Sequence, residues 1–166
     1  MYPKRGWVFI LALFLQMVAV RAPGAYGVLL PISYALLLVG TLSNLHMWGF
    51  KSLLVGLALN ILPLAAHQWY MPVAGSALAA VGFSREAGLA AGARLAGSKN
   101  VLLPREDTAF WFLSDIIPVT WPMPLLLSPG DLVILVSLGL LAWEILRMLT
   151  WKHKKETQWR SNKLPS

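Results

Sequence analysis

The stretch LVILVSLGLLAWEILRMLTW, residues 132–151, decides the fold, because Glu144 and Arg147 are the only charged residues in twenty positions. A helix of about 20 mostly apolar residues is long enough to cross the hydrocarbon core of a bilayer. A run of this length is also far longer than an ordinary strand. We therefore predict a membrane-spanning helix here and interpret the rest of the chain around it.

Three further apolar runs precede it, at residues 7–21, 26–45 and 50–69. The first is short for a span and follows Lys4 and Arg5, an arrangement that also describes a secretory signal peptide. We expect a retained first helix, whose flanking charged and tryptophan side chains reach the membrane interfaces. The sequence thus predicts about four transmembrane helices within one integral membrane domain, residues 1–166.

The composition agrees with a lipid environment and excludes several kinds of chemistry. Hydrophobic residues make up 57% of the 166 residues and charged residues 13%, a balance that one small soluble core could not hide. The chain has no cysteine, which excludes disulfides, thiolate metal sites and cysteine nucleophiles. The expected partners are membrane lipids and other membrane subunits.

The net charge of +7 is concentrated where a membrane protein keeps basic residues. Lys4 and Arg5 precede the first run, and residues 152–166 form a basic tail after the last one. The segment 71–129 instead balances its basic and acidic residues. By the positive-inside rule, we expect both ends to be cytoplasmic and residues 71–129 to form an external loop of an inner-membrane protein. The charge surplus therefore does not indicate a nucleic-acid partner.

The external loop is expected to contain short surface helices and no span. Its first part, Ser76 to Leu95, predicts one or two short helices, with Ser84 as an N-cap and Glu86 in the first turn. The aromatic, proline-punctuated part at 110–124 is too broken to span, so we interpret it as interfacial or re-entrant. The predicted fold class is therefore all-α.

Residues 55–131 carry a resemblance to a known family. It rests on Asn60 in a helix before Met71-Pro72-Val73, then on Ser98-Lys99-Asn100, Leu113-Ser114-Asp115-Ile116-Ile117-Pro118 and Ser128-Pro129-Gly130-Asp131. With these features the chain resembles a family of small bacterial integral membrane proteins of unknown function. It departs from that family at His67-Gln68-Trp69, where an Asn-Gly-Gly-like turn is usual. The resemblance implies a membrane fold and no particular activity.

Asp115 and Asp131 are the candidate catalytic pair. Two carboxylates that converge in a partly desolvated site can share a proton and activate water. Their segment is similar to the end of aspartyl lipoprotein signal peptidases, although the Gly-Asn-x-x-Asp-Arg stretch of that family has no counterpart here. The structural alternative gives Asp115 an ordinary loop hydrogen bond. In that alternative, Ser128 and Asp131 form a capping box on the last helix, with Pro129 between them.

The remaining polar candidates have simple structural interpretations. Glu144 and Arg147 are expected to form an ion pair on one helix face, and Asn60 an interhelical hydrogen bond. His46 and His67 are candidate ligands of a haem or pigment, but they flank one predicted helix and cannot share a metal. No metal site is predicted, and His153 has no predicted role.

The sequence favours a non-catalytic accessory or structural subunit of a larger membrane complex. No nucleotide-binding, hydrolase or metal motif occurs, and eight tryptophans suit packing against neighbouring subunits. The alternative is an outer-face aspartyl enzyme that acts on a lipid or lipoprotein through Asp115 and Asp131. A small-solute transporter or assembly factor is a third hypothesis.

Overall fold

The computed structural model describes residues 3–22 and 25–163, with side chains described as far as Trp151. The predicted basic tail and His153 therefore lie outside the described side chains. The four apolar runs form the helices α1 (Gly6–Arg21), α2 (Tyr26–Leu42), α3 (Trp48–Ala66) and, after the segment between them, the final helix Pro129–Lys163. The final helix thus starts before the predicted residue 132 and continues well beyond Trp151.

Two of these helices are long and apolar enough to cross a membrane. They are α3, with a mean hydropathy of 1.6, and the Pro129–Trp151 part of the final helix, with a mean hydropathy of 2.1. The helices α1 and α2 are apolar but shorter. The chain is therefore mostly helical, with two long and two shorter apolar helices.

The 67–128 segment, which we call the cap, connects α3 to the final helix. It contains β1 (Met71–Val73), α4 (Gly75–Ala80), α5 (Ser84–Ala87), β2 (Asn100–Leu102), β3 (Ile117–Val119) and β4 (Leu125–Leu127), and the final helix is accordingly α6. Strands β1 and β2 pair in parallel, and β3 and β4 form an antiparallel hairpin. Short 3₁₀ turns lie at Arg105–Asp107 and Trp111–Leu113.

The cap corrects two details of the sequence analysis. The chain is mostly helical as predicted, but the cap also contains strands, which at three residues each are too short for their alternating pattern to be visible in a sequence. The two short helices are present, but Ser84 is the first residue of α5 and Phe83 takes the N-cap position, while Glu86 lies in the first turn as expected. The proline-rich part expected to be interfacial or re-entrant contributes a hairpin that pairs its own backbone groups.

Small residues bring α3 and α6 into close contact. A Cβ atom on Gly56 would lie 2.7 Å from Ile134, and one on Gly49 would lie 2.5 Å from Leu141. The Ser137 hydroxyl donates to the Ser52 hydroxyl across the same interface at 2.8 Å. Close backbone approach through glycine and serine is typical of helix pairs in membranes.

The other two helices form a hairpin whose ends are tied together by one side chain. Asn44, fully buried after α2, donates to the carbonyls of Lys4 (2.8 Å) and Gly40 (2.7 Å) and accepts a hydrogen bond from the Lys4 amide. This contact holds the start of α1 against the end of α2. Because α1 packs on α2, α2 on α3 and α3 on α6, the helices enclose a common interior.

Candidate ligand-binding site

A cavity of about 570 Å³ lies in that interior, and we call it the helix cavity. All four apolar helices contribute to its wall, which is largely aliphatic and aromatic: Phe9, Leu13, Val20, Leu30, Leu37, Phe50, Leu53, Leu57, Ile134, Leu138 and Leu141. Its polar lining comes from Asn60, Lys99 and Asp131, together with Gln16 and Tyr34. Its volume falls in the ordinary range for small-molecule sites, about 300–1,000 Å³.

Asn60 and Asp131 belong to a network that closes the start of α6. The Asn60 amide donates to Asp131 Oδ1 at 2.7 Å, and the Ser128 hydroxyl donates to Asn60 Oδ1 at 2.6 Å. Both bonds of the predicted capping box are also present: the Asp131 amide donates to Ser128 Oγ, and the Ser128 amide donates to Asp131 Oδ2. The interhelical hydrogen bond expected of Asn60 therefore goes to a helix cap, and both Asp131 oxygens accept hydrogen bonds.

Gly130 allows this network to form. An added Cβ atom there would overlap Asn60 Oδ1 and would lie 2.9 Å from the Gly56 carbonyl oxygen. Only a residue without a side chain lets α3 pass so close to the first turn of α6. The glycine is thus part of the site, although it contributes no polar side chain.

Lys99, just before β2, is the cation of the site. Its backbone carbonyl accepts from the Met71 amide at 2.8 Å, which fixes the chain next to β1. Burial lowers the pKa of the Lys99 ammonium, but Asp115, Tyr34 and Asp131 outweigh that effect, so the pKa lies above its ordinary value. Lys99 therefore interacts electrostatically with both carboxylates.

Asp115 is 2% exposed and lies at the start of the β3–β4 region. Its Oδ2 atom accepts from the Asn100 side-chain amide at 2.7 Å, while Oδ1 has no hydrogen-bond partner within the described residues. Burial raises the pKa of Asp115 above its ordinary value, although Lys99 and the Asn100 hydrogen bond oppose the shift. An acceptor atom is therefore buried without a donor.

A second cavity of about 510 Å³, which we call the cap cavity, has Asp115 in its wall. Arg94, Glu86 and Asn100 also line it, with apolar residues from α4, β4 and the loops between them. The Arg94 guanidinium stacks on the Tyr70 ring at 4.1 Å. Lys99 contributes to the walls of both cavities.

The structure gives the predicted catalytic pair separate partners. Asp115 is bound by Asn100 and Asp131 by Asn60, and no hydrogen bond joins the two carboxylates in the part of the chain that is described. Lys99 acts electrostatically on both, so they share a cation. Asp115 and Asp131 are therefore held by different side-chain amides, with Lys99 as their common cation.

Glu144 and Arg147 contact other groups than each other. The Glu144 carboxylate accepts from the backbone amides of Trp48 (2.9 Å) and Gly49 (3.1 Å), at the start of α3, where the helix dipole favours an anion. The Arg147 guanidinium lies 5.4 Å from the Trp143 ring. The expected ion pair gives way to a cap across the helix pair, because unpaired amides at a helix start are strong donors.

The two candidate cofactor ligands lie at opposite ends of α3. Both ring nitrogens of His67 have partners: Nδ1 is 2.8 Å from the Pro63 carbonyl, and Nε2 accepts from the Ala109 amide at 3.3 Å. His67 therefore links α3 to the cap. His46 is exposed beside a cleft of about 880 Å³. Across the described residues, no group of three or more potential metal ligands occurs.

Sequence reasoning missed the central residue of the site. Lys99 entered the analysis only as one charge of a balanced loop and as part of the Ser98-Lys99-Asn100 resemblance. A lone lysine in a loop carries no local signal, since its position between two carboxylates depends on strand pairing that the sequence does not reveal. The resemblance was the one available sign that this tripeptide is more than a surface turn.

The fold and site define a mostly helical protein with an apolar interior cavity and a charged end. Residues 4–143 match the model of the "Family of unknown function (DUF5317)", so the chain belongs to that family. The match confirms the resemblance to a family of unknown function and covers the first two helices as well. No curated protein matches the chain. No solved structure matches it either.

Proposed function

We propose that this protein is a membrane protein that binds one amphipathic, lipid-like molecule between its helices. The helix cavity carries the proposal, because its wall is apolar and its polar residues Asn60, Lys99 and Asp131 belong to one connected cluster. A ligand with an apolar chain and a polar headgroup matches that division. The apolar chain would lie among the helices and the headgroup at Lys99.

The proposed membrane arrangement has four spans, α1, α2, α3 and the first part of α6. Both ends are cytoplasmic and the cap is external. Basic residues at 4, 5 and 152–166 support this orientation. The chain has no cysteine, so single cysteines report cleanly on sidedness. An impermeant maleimide should label Ser84→Cys in intact cells and His46→Cys only after permeabilisation. The reverse pattern, or equal labelling, would contradict this topology.

The polar end of the cavity should decide which molecule binds. An acyl chain that moves from the bilayer into the helix cavity leaves one apolar environment for another, so it gains little from the hydrophobic effect. Hydrogen bonds and charge pairing at a desolvated headgroup cannot be supplied by the surrounding lipid tails. We therefore expect weak discrimination between chain lengths and strong discrimination between headgroups.

A pair of substitutions on α2 tests the proposal. Leu37 lines the helix cavity, whereas Val39 is 48% exposed and is not part of its wall. Leu37→Trp should fill the cavity and reduce the lipid retained in mild detergent about tenfold, as measured by native mass spectrometry. Val39→Trp, with the same added volume outside the cavity, should leave it unchanged. Equal retention by both variants and the unaltered protein would refute the proposal.

An accessory-subunit function is the second candidate. Only 11% of the apolar part of α6 is buried within the protein, against 44% for α3, so α6 presents a long apolar surface to its surroundings. This surface suits lipid or the helices of another membrane subunit. Purification of the tagged chain in mild detergent should then yield fixed partners in a constant ratio. Purification of the chain with lipid alone favours the binding function.

A further inference from the structure

The Oδ1 atom of Asp115 is the least satisfied polar atom of the site. The residue is 2% exposed and Oδ1 has no partner within the described chain, although Oδ2 is bound by Asn100. Buried polar atoms are normally paired, because removal from water without a replacement hydrogen bond is costly. Asp115 is among the residues that line the cap cavity, so a molecule bound there would lie beside the carboxylate that lacks this hydrogen bond.

The charges around this atom leave room for one more cation. Asp115 and Asp131 both interact with Lys99, which makes two acidic groups against one basic group. The other charged residues of the cap cavity, Glu86 and Arg94, balance each other. A positively charged group placed beside Asp115 would therefore be favoured. Both oxygens of Asp131 already accept hydrogen bonds, which leaves Asp115 as the residue that a cation would contact.

A primary ammonium group meets both requirements. It carries one positive charge and three N–H donors, whereas a quaternary ammonium carries the charge without a donor. A bound metal ion fits less well, because the described residues contain no cluster of three or more potential ligands. Leu78, Phe83 and Leu125 line the cap cavity and would limit the access of water that competes for the carboxylate.

We propose that the cap cavity binds the primary ammonium of an aminophospholipid headgroup at Asp115 Oδ1. This inference rests on the proposed function, since it specifies the headgroup of the molecule whose chain occupies the helix cavity. The two cavities share Lys99 as a lining residue, which places them next to each other. The same ammonium chemistry occurs in soluble amines, so the test includes free ethanolamine.

The test compares three lipids with identical acyl chains on the purified full-length protein. Phosphatidylethanolamine has a primary ammonium, phosphatidylcholine a quaternary one, and phosphatidylglycerol none. Native mass spectrometry in mild detergent should show phosphatidylethanolamine favoured over the other two about tenfold, as expected for one charge-assisted hydrogen bond. Equal binding of all three lipids to the unaltered protein would overturn the inference.

Variants of the cap assign the preference to Asp115. Asp115→Asn keeps the size of the side chain and should reduce the preference to near unity, whereas Asp107→Asn, at an exposed acid of the same segment, should keep it. Ala96→Trp narrows the cap cavity and should weaken phosphatidylethanolamine binding, with exposed Ala90→Trp as its control. If the preference for phosphatidylethanolamine survives in both Asp115→Asn and Ala96→Trp, the assignment of the ammonium site to Asp115 is refuted.

The outcomes separate the two proposals. Leu37→Trp should reduce the binding of all three lipids alike, while Asp115→Asn should change only their ranking. Lipid binding without a headgroup preference leaves the proposed function standing and overturns the ammonium site. Absence of any lipid binding overturns both. Binding of free ethanolamine that depends on Asp115 and equals that of the lipid supports the ammonium site and assigns it to soluble amines.

Discussion

Gly130→Ala should destabilise the protein although alanine favours helices. The added methyl group would overlap Asn60 Oδ1 and press on the Gly56 carbonyl 2.9 Å away, so α3 and α6 must separate. Such overpacking costs about 1–3 kcal/mol. Loss of the two Asn60 hydrogen bonds adds about 0.6 kcal/mol each. Since alanine returns about 0.5–1 kcal/mol of helix propensity, we expect a net loss of about 1–4 kcal/mol.

Gly139→Ala is the matched control in the same helix. Among the described residues, nothing lies within 4 Å of a Cβ atom at Gly139, so this substitution should be neutral or should stabilise by up to about 1 kcal/mol. Equilibrium unfolding in mixed micelles, followed by tryptophan fluorescence, measures both variants on one scale. If Gly130→Ala proves as stable as Gly139→Ala, the close approach of Asn60 to the start of α6 is incorrect.

Three further predictions concern the ends of α3 and the cap. Glu144→Gln should cost about 1 kcal/mol of unfolding free energy, because it removes the negative charge from the start of α3. Arg147→Gln should cost less. Equal costs for the two variants would support the ion-pair interpretation instead. The thermal midpoint of the unaltered protein should rise relative to that of Asp115→Asn as the pH falls from about 8 to about 4. This direction follows from the raised pKa of Asp115, because the folded state then binds the proton more tightly than the unfolded state. Parallel plots of thermal midpoint against pH for the two proteins would contradict it. His67→Ala should lower the midpoint without changing the absorption spectrum of the purified protein, and loss of a coloured species would instead establish a cofactor.

The apolar helices could be predicted from the sequence because each is encoded by its own residues. The capping box at Ser128 and Asp131 was equally local, since its two residues lie three positions apart. Asn60 was correctly interpreted as an interhelical donor, because an amide within an apolar helix has few other uses. Its partner could not be predicted, since that depends on how α3 and α6 pack.

The cap and the centre of the site depend on contacts between distant residues. Strands β1 and β2 are three residues each, and their parallel pairing places Lys99 beside the helix bundle. Glu144 was assigned to its nearest sequence neighbour, Arg147, but its carboxylate accepts from amides almost a hundred residues earlier in the chain. The spacing of charges along a helix suggests ion pairs within that helix. It does not show which distant helix start brings its unpaired amides close to the carboxylate.

The length of α6 gives the protein a mechanical property. An unbroken helix of 35 residues extends about 52 Å at 1.5 Å per residue, well beyond the hydrocarbon core of about 30 Å that a bilayer offers. Its first turn contains Asp131 of the ligand site, and its far end lies on the other side of the bundle. Because α6 is one continuous helix from Pro129 to Lys163, it has no break at which it could bend. A tilt of α6 at its first turn would therefore produce a larger displacement at its opposite end.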